Sequence, residues 1–281
     1  MIRFADKRFD EERAFYGSDG ILLQNCRFEG AADGESALKE CRNIEAAGCY
    51  FDLRYPFWHD THVKITGCEM TLLCRAALWY SDDVEITDTK MHGIKALREC
   101  SHVSVSGCDI VSPEFGWFCS DIKMQDSCAE SEYFMLRSER LSFRGVRLKG
   151  KYSFQYIKDS EFEDCVFDTK DAFWHAKNVI VRNCVVNGEY LAWYCENVTF
   201  ENCTISGTQP LCYCKGLRLI NCKMTDADLA FERSEADADI TTDVISIKNP
   251  AAGTIRVPHV SEIIMDDPFA KGEIIQTGEQ R

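Results

Sequence analysis

The sequence lacks any apolar run approaching the roughly 18 residues that span a bilayer. It also lacks a secretory signal, because its first residues, MIRFADKRFDEERAFYG, carry charges throughout and contain no apolar segment. We therefore expect a cytoplasmic protein that makes no contact with a membrane.

Linker signals are scarce as well. The 281 residues include only six prolines, and no Gly-rich, Ser-rich or highly charged stretch divides them. The sequence therefore predicts a single domain over 1–281. The hydrophobic content of 45% is sufficient for a continuous core.

Motifs of well-known enzyme classes are missing too. There is no Gly-rich phosphate loop, no G-x-S-x-G turn and no H-E-x-x-H pair. The formal net charge of −14 repels phosphate backbones and therefore disfavours nucleic acid as a partner. No cofactor is predicted.

What the sequence does contain is a repeat marked by cysteine. The segments VIVRNCVV (179–186), VTFENCTI (198–205) and LRLINCKM (217–224) share one pattern, and VKITGCEM (63–70) and VSVSGCDI (103–110) repeat it upstream. From Val146 onward the copies are nineteen residues apart, and eleven copies are recognisable in all. Weaker copies place these residues in the cysteine slot: Cys26, Cys49, Thr89, Cys128, Val146 and Cys165.

Each copy has a corner immediately before the cysteine. Apolar residues alternate before this corner and resume out of phase after it, so two short strands meet there. The corner residue is Asn, Gly, Asp or Ser, and most of these types tolerate a left-handed backbone. This pattern predicts an all-β fold, a single-stranded right-handed parallel β-helix of about eleven coils of about nineteen residues.

The ends and the cysteines complete this prediction. We expect residues 21–249 to form the coils and residues 1–20 and 250–281 to cap them, because an open β-helix end exposes unpaired backbone. A reducing cytosol and a column of parallel side chains favour buried free thiols over disulfides.

An aromatic segment lies between one corner and the next, as in YSFQY (152–156), DAFWH (171–175) and YLAWY (190–194). Period-2 alternation would divide such a segment into an inward and an outward column. The outward column is expected to contain Tyr133, Arg137, Tyr152, Phe154, Tyr156, Phe173, Tyr190, Tyr194 and Tyr213. Ser153 and Gln155 break the pattern, so the facing of Trp58, Trp79, Trp174 and Trp193 stays open.

A broad outward aromatic face is expected to be covered or to bind something. One interpretation is a homo-oligomer interface, or a surface lying under the N-terminal segment and the loop around 27–45. A second is a groove for a neutral carbohydrate-like ligand, with Arg137 among its polar contacts. A rod that joins others end to end is a third interpretation and ranks below these two.

A carbohydrate-active lyase or hydrolase is the enzymatic alternative. Asp171 and Glu189 are placed on adjacent coils, where two carboxylates can reach the separation of about 5 to 9 Å that acid–base hydrolysis requires. His175 follows Asp171 on the same segment, and the three residues are weak catalytic candidates. No metal is predicted, because Cys195, Cys212 and Cys214 lack the paired C-x2-C spacing of zinc sites.

Four runs carry a family resemblance: DAFWHAKNV (171–179), GEYLAWYCENVTFENC (188–203), GTQPLCYCKGL (207–217) and DLAFE (228–232). They resemble the DUF3737 family of bacterial single-domain β-helix proteins, and the chain length extends the likeness to nearly the whole protein. The resemblance implies a pectate-lyase-like fold and no assigned activity, so no functional residue is carried over. The broader superfamily includes lyases and hydrolases of acidic polysaccharides, but this chain lacks their secretion signal, catalytic Arg or Lys motif and clustered aspartates.

Overall fold

The computed structural model describes residues 1–278, which form a parallel β-solenoid of about 14 turns without helices. The predicted all-β parallel β-helix is confirmed, with more coils than the eleven recognised in the sequence. The chain divides into two compact units, Met1–Ser142 and Phe143–Arg281, so the single domain stays a prediction. Over the described residues, no helix is long and apolar enough to cross a membrane.

The first unit is built from one long and one or two short strands per coil. The long strands are Ile2–Ala5, Asp19–Gln24, Arg42–Ala47, Thr61–Thr66, Asp82–Thr87, Ser101–Ser106 and Ser120–Gln125. The strands after the corner are Arg8–Phe9, Arg27–Phe28, Tyr50–Phe51, Glu69–Met70, Lys90–Met91, Asp109–Val111 and Cys128–Ser131. Third strands are Phe57–Trp58, Leu78–Trp79, Leu97–Arg98, Glu114–Phe115 and Tyr133–Phe134, and Glu139–Arg144 contains the junction between the units.

The second unit follows the same plan. Its long strands are Lys158–Glu163, Lys177–Arg182, Glu196–Glu201, Leu217–Thr225, Ala236–Ile240, Thr254–Val257 and Glu273–Gln276. Its other strands are Arg147–Lys151, Val166–Lys170, Val185–Asn187, Thr204–Ser206, Val244–Lys248 and Val260–Ile264. Equivalent residues pair in register, as Val179 with Val198, so neighbouring coils bury the same slots, and one register shift occurs between Leu219 and Cys222.

The segments expected to form caps, 1–20 and 250–281, contain strands that pair with neighbouring strands, and their capping role stays a prediction; residues 279–281 lie outside the described residues. Ile2–Ala5 pairs with the strand beginning at Asp19, and Thr254–Val257 pairs with Glu273–Gln276. The repeat pattern is too weak to recognise in the sequence of these segments, but their backbones still pair in register with the neighbouring strands.

The corner residues adopt the left-handed backbone that their types predicted. Asn183, Asn202 and Asn221 have φ of 53°, 53° and 51°. Their side-chain amides form a ladder, in which Asn202 Nδ2 donates to Asn183 Oδ1 at 3.3 Å and Asn221 Nδ2 donates to Asn202 Oδ1 at 2.8 Å. The corners therefore bond to each other through their side chains.

The cysteines are free thiols, and all except Cys128 are buried. The placement of Cys128 in the inward slot is wrong. Asp126 takes the corner with φ of 46°, and Ser127 fills the slot, where its hydroxyl accepts the Cys108 N–H at 3.0 Å. The Ser127 hydroxyl thus accepts a backbone N–H of the preceding coil from the inward slot, and the corner lies one residue earlier than predicted.

Candidate functional site

The aromatic segments of the second unit are not extended strands. Positive φ recurs at every second residue, as at Asp171 (53°), Phe173 (59°) and His175 (56°). Each left-handed residue costs about 1 kcal/mol or more. Hydrogen bonds to both neighbouring coils offset that cost, because the Phe173 N–H donates to Ser153 O and the His175 N–H to Trp193 O, at 3.0 and 2.9 Å.

This backbone changes which side chains point inward. Side chains alternate between faces only when the chain is extended. Here consecutive residues turn into the core, as Ala172 and Phe173 do beside the buried Asp171, and the next two residues, Trp174 and His175, are half-buried. Both predicted columns are therefore mixed: Phe154 and Phe173 are fully buried, and their assignment to the outward face is wrong.

Four rings at the end of these segments form a stack that we call the aromatic ladder: Tyr156, His175, Tyr194 and Tyr213. Successive ring centroids lie 4.7, 5.1 and 4.8 Å apart, with planes within 12° of parallel. Because the rings cover each other's faces, the ladder turns ring edges to solvent. Tyr156 and Tyr194 are 41% and 44% exposed.

The tryptophan slot lies next to the ladder. Trp174 and Trp193 are half-buried and stack at 5.3 Å. Each indole N–H donates at 2.7 Å to a backbone carbonyl of the next coil, Tyr190 O and Gln209 O respectively. Gln155 fills the same slot with the same bond, since its Nε2 donates to Asp171 O at 3.1 Å. The tryptophans thus lie at the surface but also join the coils.

Charged residues recur at two positions of the coils that carry the ladder, and we call these positions the ladder border. It consists of the residue before each aromatic segment and the residue two places after each ring: Lys151, Lys170, Glu189, Thr208, Lys158, Lys177, Glu196 and Lys215. Glu189 lies 3.9 Å from Lys170 and Glu196 lies 2.9 Å from Lys177, and the latter hydrogen bond lowers the pKa of Glu196. These eight positions carry five lysines and two glutamates in a chain of net charge −14, and at the end of the ladder Tyr213 donates a hydrogen bond to Glu232 Oε2 at 3.4 Å.

The remaining predicted face residues divide between the units. Tyr152 and Tyr190 are half-buried in the second unit, and the Tyr190 ring meets Trp193 edge-on at 5.4 Å. Tyr133 and Arg137 belong to the first unit, where Tyr133 is half-buried and Arg137 is exposed.

The three catalytic candidates do not converge on one open centre. His175 is held between two tyrosine rings. Asp171 is 8% exposed, and burial raises its pKa, with Lys170 opposing and Glu189 adding to the effect. Glu189 lies on the border beside Lys170. The arrangement brings Asp171 and Glu189 into electrostatic range but leaves Asp171 little access to a substrate.

Two features of the first unit were missed by sequence reasoning. Arg98 lies over the rings of Trp79, Trp117 and Phe118 at 5.4 to 5.7 Å, in the slot that spacing by nineteen assigns to tryptophan. Asp60 is completely buried. The same spacing from Cys41 would have identified its inward slot.

Groups of three or more potential metal ligands are absent from residues 1–278. The three thiols considered above do not form such a group. Cys212 occupies the tryptophan slot, and its thiol donates to Pro210 O at 3.6 Å.

Comparison with known proteins gives one sequence match and several fold similarities. Residues 3–276 match the family described as "Protein of unknown function (DUF3737)". No curated protein matches the chain.

Three solved structures are similar to this chain at low sequence identity. The A-module of mannuronan C-5 epimerase AlgE6 from Azotobacter vinelandii has a TM-score of 0.37 and 10% identity, over 98% of this chain and 86% of that one. The catalytic domain of a GH87 α-1,3-glucanase has a TM-score of 0.31 and 8% identity, over 98% and 64%. The plasmid-mediated fluoroquinolone resistance protein QnrB1 has a TM-score of 0.19 and 12% identity, over 80% and 89%.

Proposed function

The chain belongs to the DUF3737 family of proteins of unknown function, and we propose that it is a binding protein that associates with a second copy of itself through the aromatic ladder. The carrying observation is the exposure of Tyr156 and Tyr194 at the edges of a rigid ring stack. Large aromatic side chains with little conformational freedom are enriched at the centres of protein interfaces.

The stacking direction favours a protein surface over a sugar as the partner. A sugar ring binds an aromatic residue through the face of the aromatic ring, and the ladder covers those faces with its own members. Edges remain available, and a flat array of edges suits contact with another protein surface. The neutral carbohydrate-like ligand therefore ranks second, and the Asp171, His175 and Glu189 enzyme ranks third.

Charge also supports this choice of surface. Two copies of a chain with net charge −14 repel each other over most of their surfaces. The ladder border, with five lysines and two glutamates, carries a local excess of positive charge that weakens this repulsion. Association through the ladder therefore meets less electrostatic opposition than association through an average face.

The test is the molar mass in solution as a function of concentration, measured by size-exclusion chromatography with light scattering. We expect a mass above the 32.1 kDa of one chain, and a return to 32.1 kDa in Tyr156→Ser/Tyr194→Ser. Tyr16→Ser is the matched control, because Tyr16 is 58% exposed and lies outside the ladder.

A wild-type mass of 32.1 kDa at every concentration would overturn self-association. The same samples would then be titrated with neutral oligosaccharides while tryptophan fluorescence is recorded. A response that the double variant loses and Tyr16→Ser keeps would support the carbohydrate alternative.

A further inference from the structure

The first coil of the first unit leaves core positions uncovered. Ile2 and Ile21 occupy the same inward slot of two paired strands, but Ile2 is 65% exposed and Ile21 is 2% exposed. The strand Ile2–Ala5 pairs on one side with Asp19–Gln24, and no strand among residues 1–278 pairs with its other side. The first coil therefore presents an open strand edge beside an apolar slot.

The last coil of the second unit shows the same pattern. Ile263 pairs with Ile247 and shares its slot, yet Ile263 is 42% exposed and Ile247 is fully buried. The strand Glu273–Gln276 pairs with Thr254–Val257 on one side and with no described strand on the other. The last coil therefore also presents an open strand edge and an uncovered core position.

We propose that the open edge of the first coil in one copy docks on the open edge of the last coil in a second copy, so that the parallel sheet continues from chain to chain. Neighbouring coils of this fold stack about 4.8 Å apart in register. Continuing that register places Phe4 of one copy over Ile274 of the next, because both fill the second inward position of their long strand. This contact is independent of the aromatic ladder.

Charge complementarity favours a second copy as the occupant and fixes its direction. The same register places Arg3 of one copy beside Glu273 of the next, and both residues are exposed. Opposite charges at directly paired strand positions attract, whereas like charges there repel. Two first coils that faced each other, or two last coils, would bring like charges together. The head-to-tail arrangement is therefore the favoured one.

A head-to-tail contact joins two different surfaces, so every added copy presents a new open edge. The product is a series of oligomers that lengthens with concentration, not a closed dimer. Only one coil on each side takes part in the contact, which is little against the roughly 800 Å² per partner of a standard interface. We therefore expect the end contact to form at higher protein concentrations than association through the ladder.

The experiment is sedimentation velocity at protein concentrations up to the millimolar range. Every sample carries Tyr156→Ser/Tyr194→Ser, so that ladder association does not contribute. To this background we add Arg3→Glu or Glu273→Arg, and we also mix these two variants in equal amounts. The matched control is Arg218→Glu, because Arg218 is an exposed arginine on a long strand that is paired on both sides. Circular dichroism verifies the fold of each variant.

We expect the mass of the background protein to rise above 32.1 kDa with concentration, and Arg218→Glu to match it. Arg3→Glu and Glu273→Arg should each stay at 32.1 kDa alone, and their mixture should associate again, because each supplies the charge that the other has reversed. A background protein that stays at 32.1 kDa in the millimolar range would overturn the proposal. Single variants that associate as well as the background, or a mixture that does not associate, would overturn it as well.

Discussion

Asp60 shows how burial sets the charge of one residue. It is 0% exposed, and its Oδ1 accepts the Cys41 N–H at 2.7 Å. Its Oδ2 is buried without a partner among the described residues. Burial raises the pKa of Asp60 to about 8, while the Cys41 hydrogen bond opposes this rise and Glu40 adds to it. Asp60 is therefore mostly a neutral acid at neutral pH.

The neutral state of Asp60 predicts a pH-dependent stability. The ordinary pKa of 3.8 applies in the unfolded chain, so the unfolded state loses this proton first. The free energy of unfolding should fall as pH rises from about 4 to about 8 and then level off. We expect Asp60→Asn to remove much of that slope and to stabilise the protein by about 1–3 kcal/mol at pH 8 relative to its effect at pH 4.

Urea denaturation at pH 4 and pH 8 measures this effect. Asp239→Asn, at an exposed aspartate, is the control and should retain the wild-type slope. An unchanged slope in Asp60→Asn would mean that Asp60 is ionised in the folded protein.

His102 is the opposite case, a surface group whose charged form has partners. Its Nδ1 lies 2.7 Å from Asp82 Oδ1 and its Nε2 lies 4.0 Å from Asp121 Oδ2. The Asp82 hydrogen bond raises the pKa of His102 above 6.5. The stabilisation from this contact is present below the unfolded pKa and is lost as pH rises through the folded pKa. A proton NMR titration should show the raised pKa, and Asp82→Asn should lower it.

At the scale of the element, the aromatic segments are joined by indole hydrogen bonds. The Trp193 N–H donates to Gln209 O, but the Nε1 of Trp79 is buried without a partner in the described part of the chain. Both indoles stack on another tryptophan, at 5.3 and 5.6 Å. The two residues therefore form a comparable pair, in which only Trp193 makes an indole hydrogen bond and only Trp79 has Arg98 over its ring, at 5.7 Å.

We expect Trp193→Phe to destabilise the protein by about 1–2 kcal/mol more than Trp79→Phe, because only the first removes an indole hydrogen bond. Gln209 O then keeps only the Cys212 thiol, a weaker donor at 3.5 Å. Urea midpoints of the two variants measure the difference. Equal losses would show that the indole N–H of Trp193 contributes nothing beyond its packing.

The elements also show what the sequence could predict. The residue types at Asn183 and Gly67 predict a left-handed corner, because Asn and Gly tolerate that backbone conformation. Nothing in the residue types of Phe154 or Phe173 predicts the same conformation, since bulky side chains disfavour it. Except at Ser127, where Asp126 takes the corner, the corners were therefore predicted correctly, while the aromatic segments were misassigned as extended strands. The exposure of the Tyr156 and Tyr194 rings followed from either geometry.

At the scale of the whole molecule, the net charge of −14 controls how closely two copies can approach. Salt screens charges separated by more than about 8 Å at physiological ionic strength. If copies associate through the ladder, the associated fraction should rise between low and high salt, because screening weakens the repulsion between the acidic remainder of each chain.

Reversing the charge of the ladder border tests whether local charge at the border or the net charge of the chain controls association. Lys158→Glu/Lys215→Glu makes the border negative, and we expect it to abolish association at 50 mM salt and to restore part of it at 500 mM. Lys7→Glu/Lys90→Glu changes the net charge equally, at two exposed lysines of the first unit. Light scattering at both salt concentrations compares the two. If border position matters, the second variant associates more than the first at 50 mM. Equal behaviour would mean that net charge alone opposes contact, and that the ladder has no special role.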